Sequence, residues 1–280
     1  MISLFPIPKR IFEVLCITMV FSNVLLGLNP SRTYKETPEK YKLKYQSHTV
    51  KIGSGSINMW YFPSTHNSKQ LIIVSHNGAG NMGDYLHRIK DLVSFGFNVA
   101  AYDYRGFGTS SSIEIDQEVY IYGDFYKDFD AVYDYCLENF AHEIHLYGWG
   151  IGAGISISRG YIRPETNVIV ADTPFINLED MPAKFASISS RMTVPFDELS
   201  SYRDPDETLA LKSNDQFRGI LFITGSNNLL FEAAEIESLS TINSEIKTEL
   251  YMVDNPSGTD NYRVDRSRYI RKIFTFMVNS

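Results

Sequence analysis

The amino-acid sequence predicts an α/β domain: a doubly wound, mostly parallel sheet with an antiparallel N-terminal hairpin and a small cap. Three observations predict it. Residues 71–74 (Leu-Ile-Ile-Val), 98–103 and 219–225 are short, nearly continuous apolar runs rich in β-branched residues, the pattern of strands covered on both faces. These runs alternate with segments of helical apolar spacing, which places helices between parallel strands. Residues 148–154 read Gly-Trp-Gly-Ile-Gly-Ala-Gly, a glycine-dense turn between an apolar run and a helix-forming one.

Taken in order, the chain opens on Lys9 and Arg10, followed by an apolar stretch over residues 11–28 that Glu13, Ser22 and Asn23 interrupt. A membrane span needs about 20 apolar residues, so an uncleaved anchor is the first expectation. A cleaved signal has the same order of charge and apolar residues but needs a small-residue cleavage site, and none stands near Leu28. An amphipathic helix packed on the domain is the third reading, with Glu13 in its favour. Basic residues ahead of the apolar stretch put the domain on the non-cytoplasmic side, membrane-anchored or exported. Residues 1–30 are thus expected to be an anchor or signal, residues 31–40 a polar linker, and residues 41–280 the domain.

Within the domain, residues 41–52 alternate as an edge strand, residues 53–56 (Gly-Ser-Gly-Ser) form a hairpin turn, and residues 57–62 return. Buried strands over 71–74 and 98–103 follow, with a loop and helix between them. Over residues 121–140, Phe125, Phe129, Val132, Tyr133, Cys136 and Leu137 have helical spacing. After the strand ending at the glycine-dense turn come a helix near 155–159 and strands at 168–171, 219–225 and 248–253. Helices are expected over 233–238 and 269–277. Residues 175–217 are longer than a simple crossover needs and read as the cap.

Composition narrows the function. In 280 residues, 44% are apolar and 21% charged, which suits a globular chain with a substantial core. A net charge of −7 with no long basic run argues against nucleic acid as a partner. Cys16 and Cys136 are too few for a disulfide framework or a cysteine zinc site. His142 and His145 are three apart, which on a strand points them to opposite faces. No metal or cofactor is expected.

Four local stretches carry the chemistry. They are Ser75, His76, Asn77, Gly78, Ala79 and Gly80 after a buried strand; residues 101–110 (Ala-Tyr-Asp-Tyr-Arg-Gly-Phe-Gly-Thr-Ser); residues 172–181, opening Asp172, Thr173, Pro174; and Gly148-x-Gly150-x-Gly152. Together they resemble the α/β-hydrolase superfamily, and within it the serine-aminopeptidase-like branch, which includes bud-emergence-type membrane hydrolases and acyl-thioesterases of lipidated proteins. The resemblance covers about residues 41–280 and implies an α/β-hydrolase fold. It also implies that 148–152 is a nucleophile elbow, G-x-S-x-G, with the serine at the tip of the turn.

Here the tip is Gly150, which has no nucleophile. The resemblance places the acid after the strand at 221–224, where the chain has Asn228, and the histidine after the last strand, near Thr259. All six histidines (48, 66, 76, 87, 142, 145) precede the elbow, so none can fill that place. What the resemblance leaves is an oxyanion-hole-like pocket: backbone N–H groups at Asn77 and Gly78, beside His76, and at Ile151, with Trp149 and Ile151 flanking its base. The expectation is a catalytically inactive, membrane-associated relative that binds a small acyl or carboxylate ligand or a protein partner of unknown identity. Two rivals stand: a hydrolase of esters, thioesters or peptides in which another serine and His76 rebuild a site, and a pocket closed by Phe107 or Phe175.

Overall fold

An eight-stranded sheet carries the computed structural model, which describes residues 27–280 except 67, 141, 142, 189, 257 and 259. The strands are β2 (Gln46–Ile52), β3 (Gly55–Phe62), β4 (Gln70–Ser75), β6 (Asn98–Tyr102), β7 (Glu143–Trp149), β8 (Thr166–Asp172), β9 (Gly219–Gly225) and β10 (Thr248–Val253). Their spatial order is β10-β9-β8-β7-β4-β6-β3-β2. The β2–β3 and β3–β6 pairings are antiparallel and the remaining five parallel. A separate two-stranded parallel ribbon joins β1 (Asn29–Pro30) to β5 (Ala79–Gly80).

Strand alternation divides the core. Leu71, Ile73, Ile144 and Leu146 point to one face and Ile72, Val74, Tyr147 and Trp149 to the other, as a side-chain period of two demands. The first face is covered by α2 (Gly123–Asn139), α3 (Ile151–Ile155) and α7 (Ala233–Thr241), the second by α1 (Leu86–Ser94) and α9 (Arg266–Asn279). Phe125, Phe129, Val132, Tyr133 and Cys136 all lie on the buried stripe of α2, the i, i+4, i+7, i+8 spacing of an amphipathic helix. Asp265 begins α9 by accepting the Arg268 N–H at 3.0 Å, an N-cap bond. Residues 175–217 carry α4 (Met181–Ser187), α5 (Phe196–Leu199) and α6 (Pro205–Leu209), which send Phe185, Leu199 and Leu209 into the α2 side of the core. A last short helix, α8 (Asn261–Val264), precedes α9.

The structure departs from the sequence reading in several places. The edge strand begins at Gln46, since Pro38–Tyr41 is a 3-10 turn closed by Lys42 at φ 56°. The helix after the glycine-dense turn begins at Ile151, not 155, and widens into a π turn over Ser156–Gly160. The polar residues of 31–40 find partners on the domain. The Ser31 N–H donates to the Gly80 carbonyl at 2.8 Å, Asn81 Nδ2 donates to the Thr33 carbonyl at 2.9 Å, and the Tyr34 hydroxyl donates to Asp103. Leu28 is 2% exposed and belongs to the α2-side core, so ordered contacts with the domain begin ahead of residue 30. The expected anchor over residues 11–28 otherwise falls on residues outside those described. No helix among the described residues is long and apolar enough to cross a membrane.

Candidate functional site

The strand β7 runs through the middle of the sheet between β4 and β8 and delivers Gly150 to the first residue position before α3. Gly150 has φ 56° and ψ −126°, a backbone conformation that costs any L side chain energy. Its N–H donates to the Asp172 carbonyl at 2.9 Å. The flanking glycines are required by contact: a Cβ on Gly148 would lie 2.3 Å from the Gly152 carbonyl oxygen, and one on Gly152 would lie 2.3 Å from that of Ser75. At Gly150 a Cβ would meet Asn77 alone among the described residues, its Cβ at 3.0 Å and its Cα at 3.8 Å. The strand–turn–helix geometry is therefore present, with a bare tip under Asn77.

The loop after β4 is spent differently from the sequence expectation. His76 is buried, and its Nδ1 accepts the Gly78 N–H at 3.1 Å. That leaves the ring proton on Nε2, which faces Asp103 Oδ1 at 3.8 Å, beyond hydrogen-bond distance. Burial pushes the His76 pKa down to about 3, so the ring is neutral. The Gly78 carbonyl accepts the Asn29 N–H at 2.8 Å. Gly78 thus has both backbone polar groups engaged, while the Ile151 N–H heads α3 without an intrahelical acceptor. Asn77 turns its Oδ1 to the Ala79 N–H (3.2 Å) and the Tyr85 hydroxyl (2.8 Å).

Above Gly150 lies a cavity of about 140 Å³, lined among others by Leu28, Asn77, Ile151, Thr173, Asn228 and Phe231. Four sequence-predicted residues, Asn77, Gly150, Ile151 and Asn228, come together there. Asn228 Oδ1 accepts the N–H groups of Leu230 and Phe231, both at 2.9 Å, so its amide caps the loop. Thr259 lies outside the described residues, although its neighbour Gly258 lines the cavity. His76 and Trp149 do not line it. Trp149 faces the other side of the sheet, 4.4 Å from the Tyr85 ring and 4.8 Å beneath the Arg88 guanidinium, which is itself paired with Asp260. Phe107 meets His76 edge to face and Phe175 packs over Gly154. Neither closes the cavity.

Several wall residues escaped the sequence reading. Among them, Gly27 and Leu28 fall at the end of the stretch expected to be an anchor, a signal or an amphipathic helix packed on the domain. Thr173 lines the cavity at φ 53°, an outlier for a β-branched residue. Its hydroxyl donates to Asp172 Oδ1 at 3.0 Å. That carboxylate is fully buried, also accepts from Tyr269 Oη (2.6 Å) and Asn261 Nδ2 (2.8 Å), and has its pKa raised by burial. The signal for Thr173 was its place directly after a buried strand, within a stretch already singled out.

Chemically the cavity offers apolar walls, amides and the hydroxyl-bearing side chains of Thr173 and Tyr120. None of its described lining residues is Asp, Glu, Lys, Arg, His or Cys. Among the described residues no group of three or more His, Cys, Asp or Glu is placed to hold a metal.

A family model for serine aminopeptidases of type S33 (Hydrolase_4) matches residues 66–218. Among curated proteins the chain is similar to lysophosphatidylserine lipase ABHD12 of Macaca fascicularis, 28% identical over 204 residues that cover 68% of this chain and 49% of that protein. The same lipase of Rattus norvegicus is 27% identical over 204 residues, again 68% of this chain and 49% of that one. The chain spans about half the length of the curated relatives it matches. Among solved structures, the Pyrococcus furiosus esterase Pf2001 superposes with a TM-score of 0.71 at 19% identity, over 90% of this chain and 97% of its own. Est1E from Butyrivibrio proteoclasticus does so with 0.58 at 13% identity, over 83% and 98%. At these identities the structures share the α/β-hydrolase fold with this chain.

Proposed function

This chain belongs to the serine aminopeptidase S33 family, and from that premise we propose that it is a hydrolase-fold protein without serine-hydrolase chemistry, whose cavity above Gly150 holds a small acyl or carboxylate ligand. The observation that carries the reading is Gly150 itself. It occupies the strained tip of the strand–turn–helix, at φ 56°, and has no hydroxyl to attack a carbonyl. Support comes from Asn228, an amide engaged in capping its own loop, and from His76, which is buried, neutral and away from the cavity. The apolar wall of Ile151, Leu230 and Phe231 suits a hydrocarbon body, and the Ile151 N–H at the head of α3 suits an oxygen. Association with a membrane through residues 11–28 belongs to the same reading, on the apolar composition of that stretch.

The test is a fluorophosphonate probe, which labels activated hydroxyls. The full-length protein should remain unlabelled. One observation favours a second reading, hydrolysis of esters or thioesters at a non-standard site: the Thr173 hydroxyl bonded to Asp172 inside the cavity. Covalent label mapped to Thr173, and lost in Thr173→Val, would replace the first reading with the second.

A further inference from the structure

We infer that Leu28 is a built-in occupant of the cavity above Gly150, and that residues 27–30 swing away to admit a single-chain acyl ligand. The inference rests on the ligand-binding reading of that cavity. With the strap in place the cavity measures about 140 Å³, whereas pockets that bury drug-sized ligands run from about 300 to 1,000 Å³. Leu28 forms part of its wall. Its side chain is 2% exposed and packs on the Cα of Gly78, where an added Cβ would come within 2.5 Å of Leu28 Cδ2 and 3.0 Å of Ile151 Cδ1. An isobutyl group thus already lies between the loop after β4 and the start of α3. The place is one that selects saturated hydrocarbon, and the chain itself supplies the first such group.

The strap is attached unevenly, and the unevenness locates a hinge. From Ser31 onward it is held many times over. The Ser31 N–H donates to Gly80 at 2.8 Å, and the Ser31 carbonyl accepts from the Gly108 N–H at 2.9 Å and from Asn81 Nδ2 at 3.2 Å. Asn81 Nδ2 also reaches the Thr33 carbonyl at 2.9 Å, and the Tyr34 hydroxyl donates to Asp103 while accepting from Asn58 Nδ2 at 2.8 Å. Ahead of Ser31, the strap is held by the two backbone bonds of Asn29 in the β1–β5 ladder: its N–H donates to the Gly78 carbonyl at 2.8 Å, and its carbonyl accepts from the Gly80 N–H in the register that pairs Asn29 with Ala79 and Pro30 with Gly80. Pro30 has no N–H to add another. Breaking the two Asn29 bonds and withdrawing one side chain therefore opens the cavity, with the turn at Pro30–Ser31 as hinge and everything beyond it fixed.

Register supplies the test. Asn29 lies opposite Ala79 in the β1–β5 ribbon, so Asn29→Cys with Ala79→Cys, in a Cys16→Ser background, can lock the strap by oxidation. With dodecanoate as probe and the full-length chain, the oxidised pair should lose binding and recover it on reduction. Leu28→Ala should bind about tenfold more tightly than wild type, since removing a competitor raises the competent fraction. Added dodecanoate should also speed hydrogen exchange at the Asn29 amide but not at the Ser31 amide. Equal affinity of the oxidised pair and wild type would overturn the strap inference while leaving the ligand-binding reading intact. Failure of dodecanoate to bind wild type, Leu28→Ala and the reduced pair alike would overturn both.

Discussion

Three glycines at the end of β7 differ in what they would tolerate, and the difference can be measured. A Cβ at Gly148 would lie 2.3 Å from the Gly152 carbonyl oxygen, and backbone cannot yield there. A side chain at Gly150 meets the Asn77 Cβ at 3.0 Å and a φ of 56°, a strain of order 1–3 kcal/mol. Urea unfolding should therefore rank Gly148→Ala as the more destabilising, by about 3 kcal/mol or more, and Gly150→Ser as the milder. Gly150→Ser should also fail to create esterase turnover, because restoring one hydroxyl restores neither base nor acid. The reverse ranking would mean that the turn is not built as described. The flanking glycines were legible from their spacing alone, since close strand–helix approach excludes a Cβ whatever the tip carries. Thr173 was not legible: a β-branched residue at φ 53° runs against its own propensity, and only surrounding structure imposes it.

Among the elements, β9 and β10 match their expected bounds end to end, because apolar runs bounded by turns leave little choice of register. Residues 31–40 were opaque for the opposite reason. Their polar side chains and backbone bond to loops far along the chain, and composition carries no record of a distant partner. The central strand β7 carries a cost of another kind. His145 is fully buried, and neither ring nitrogen has a hydrogen-bond partner among the described residues. Burial, with the Arg218 charge adding to it, pushes its pKa from 6.5 down to about 3. The folded ring therefore refuses a proton that the unfolded ring accepts, so stability is lost as pH falls below 6.5. By pH 5 the loss is about 2 kcal/mol. His76 acts in the same direction, and Asp103, whose pKa burial raises to about 7, in the opposite one, so the whole-protein profile is a sum. The difference is cleaner: between pH 8 and pH 5, His145→Leu should lose about 2 kcal/mol less stability than wild type. Parallel unfolding curves at the two pH values, with no such difference, would refute a buried neutral His145.

For the whole molecule, the question is how the N-terminal segment and the domain divide the chain. If residues 11–28 associate with a membrane, the full-length protein should sediment with membranes and resist alkaline carbonate, and deletion of residues 1–26 should release it folded. Deletion of residues 1–40 should release it weakened by about 3 kcal/mol or more, because Leu28, the β1–β5 ribbon and Tyr34 leave with it. Equal melting temperatures for the two truncations would show that the strap contributes nothing. The ribbon has one more consequence. Gly27 lines the cavity and Asn29 pairs with Ala79 beside it, so the chain enters the domain at the cavity's own edge.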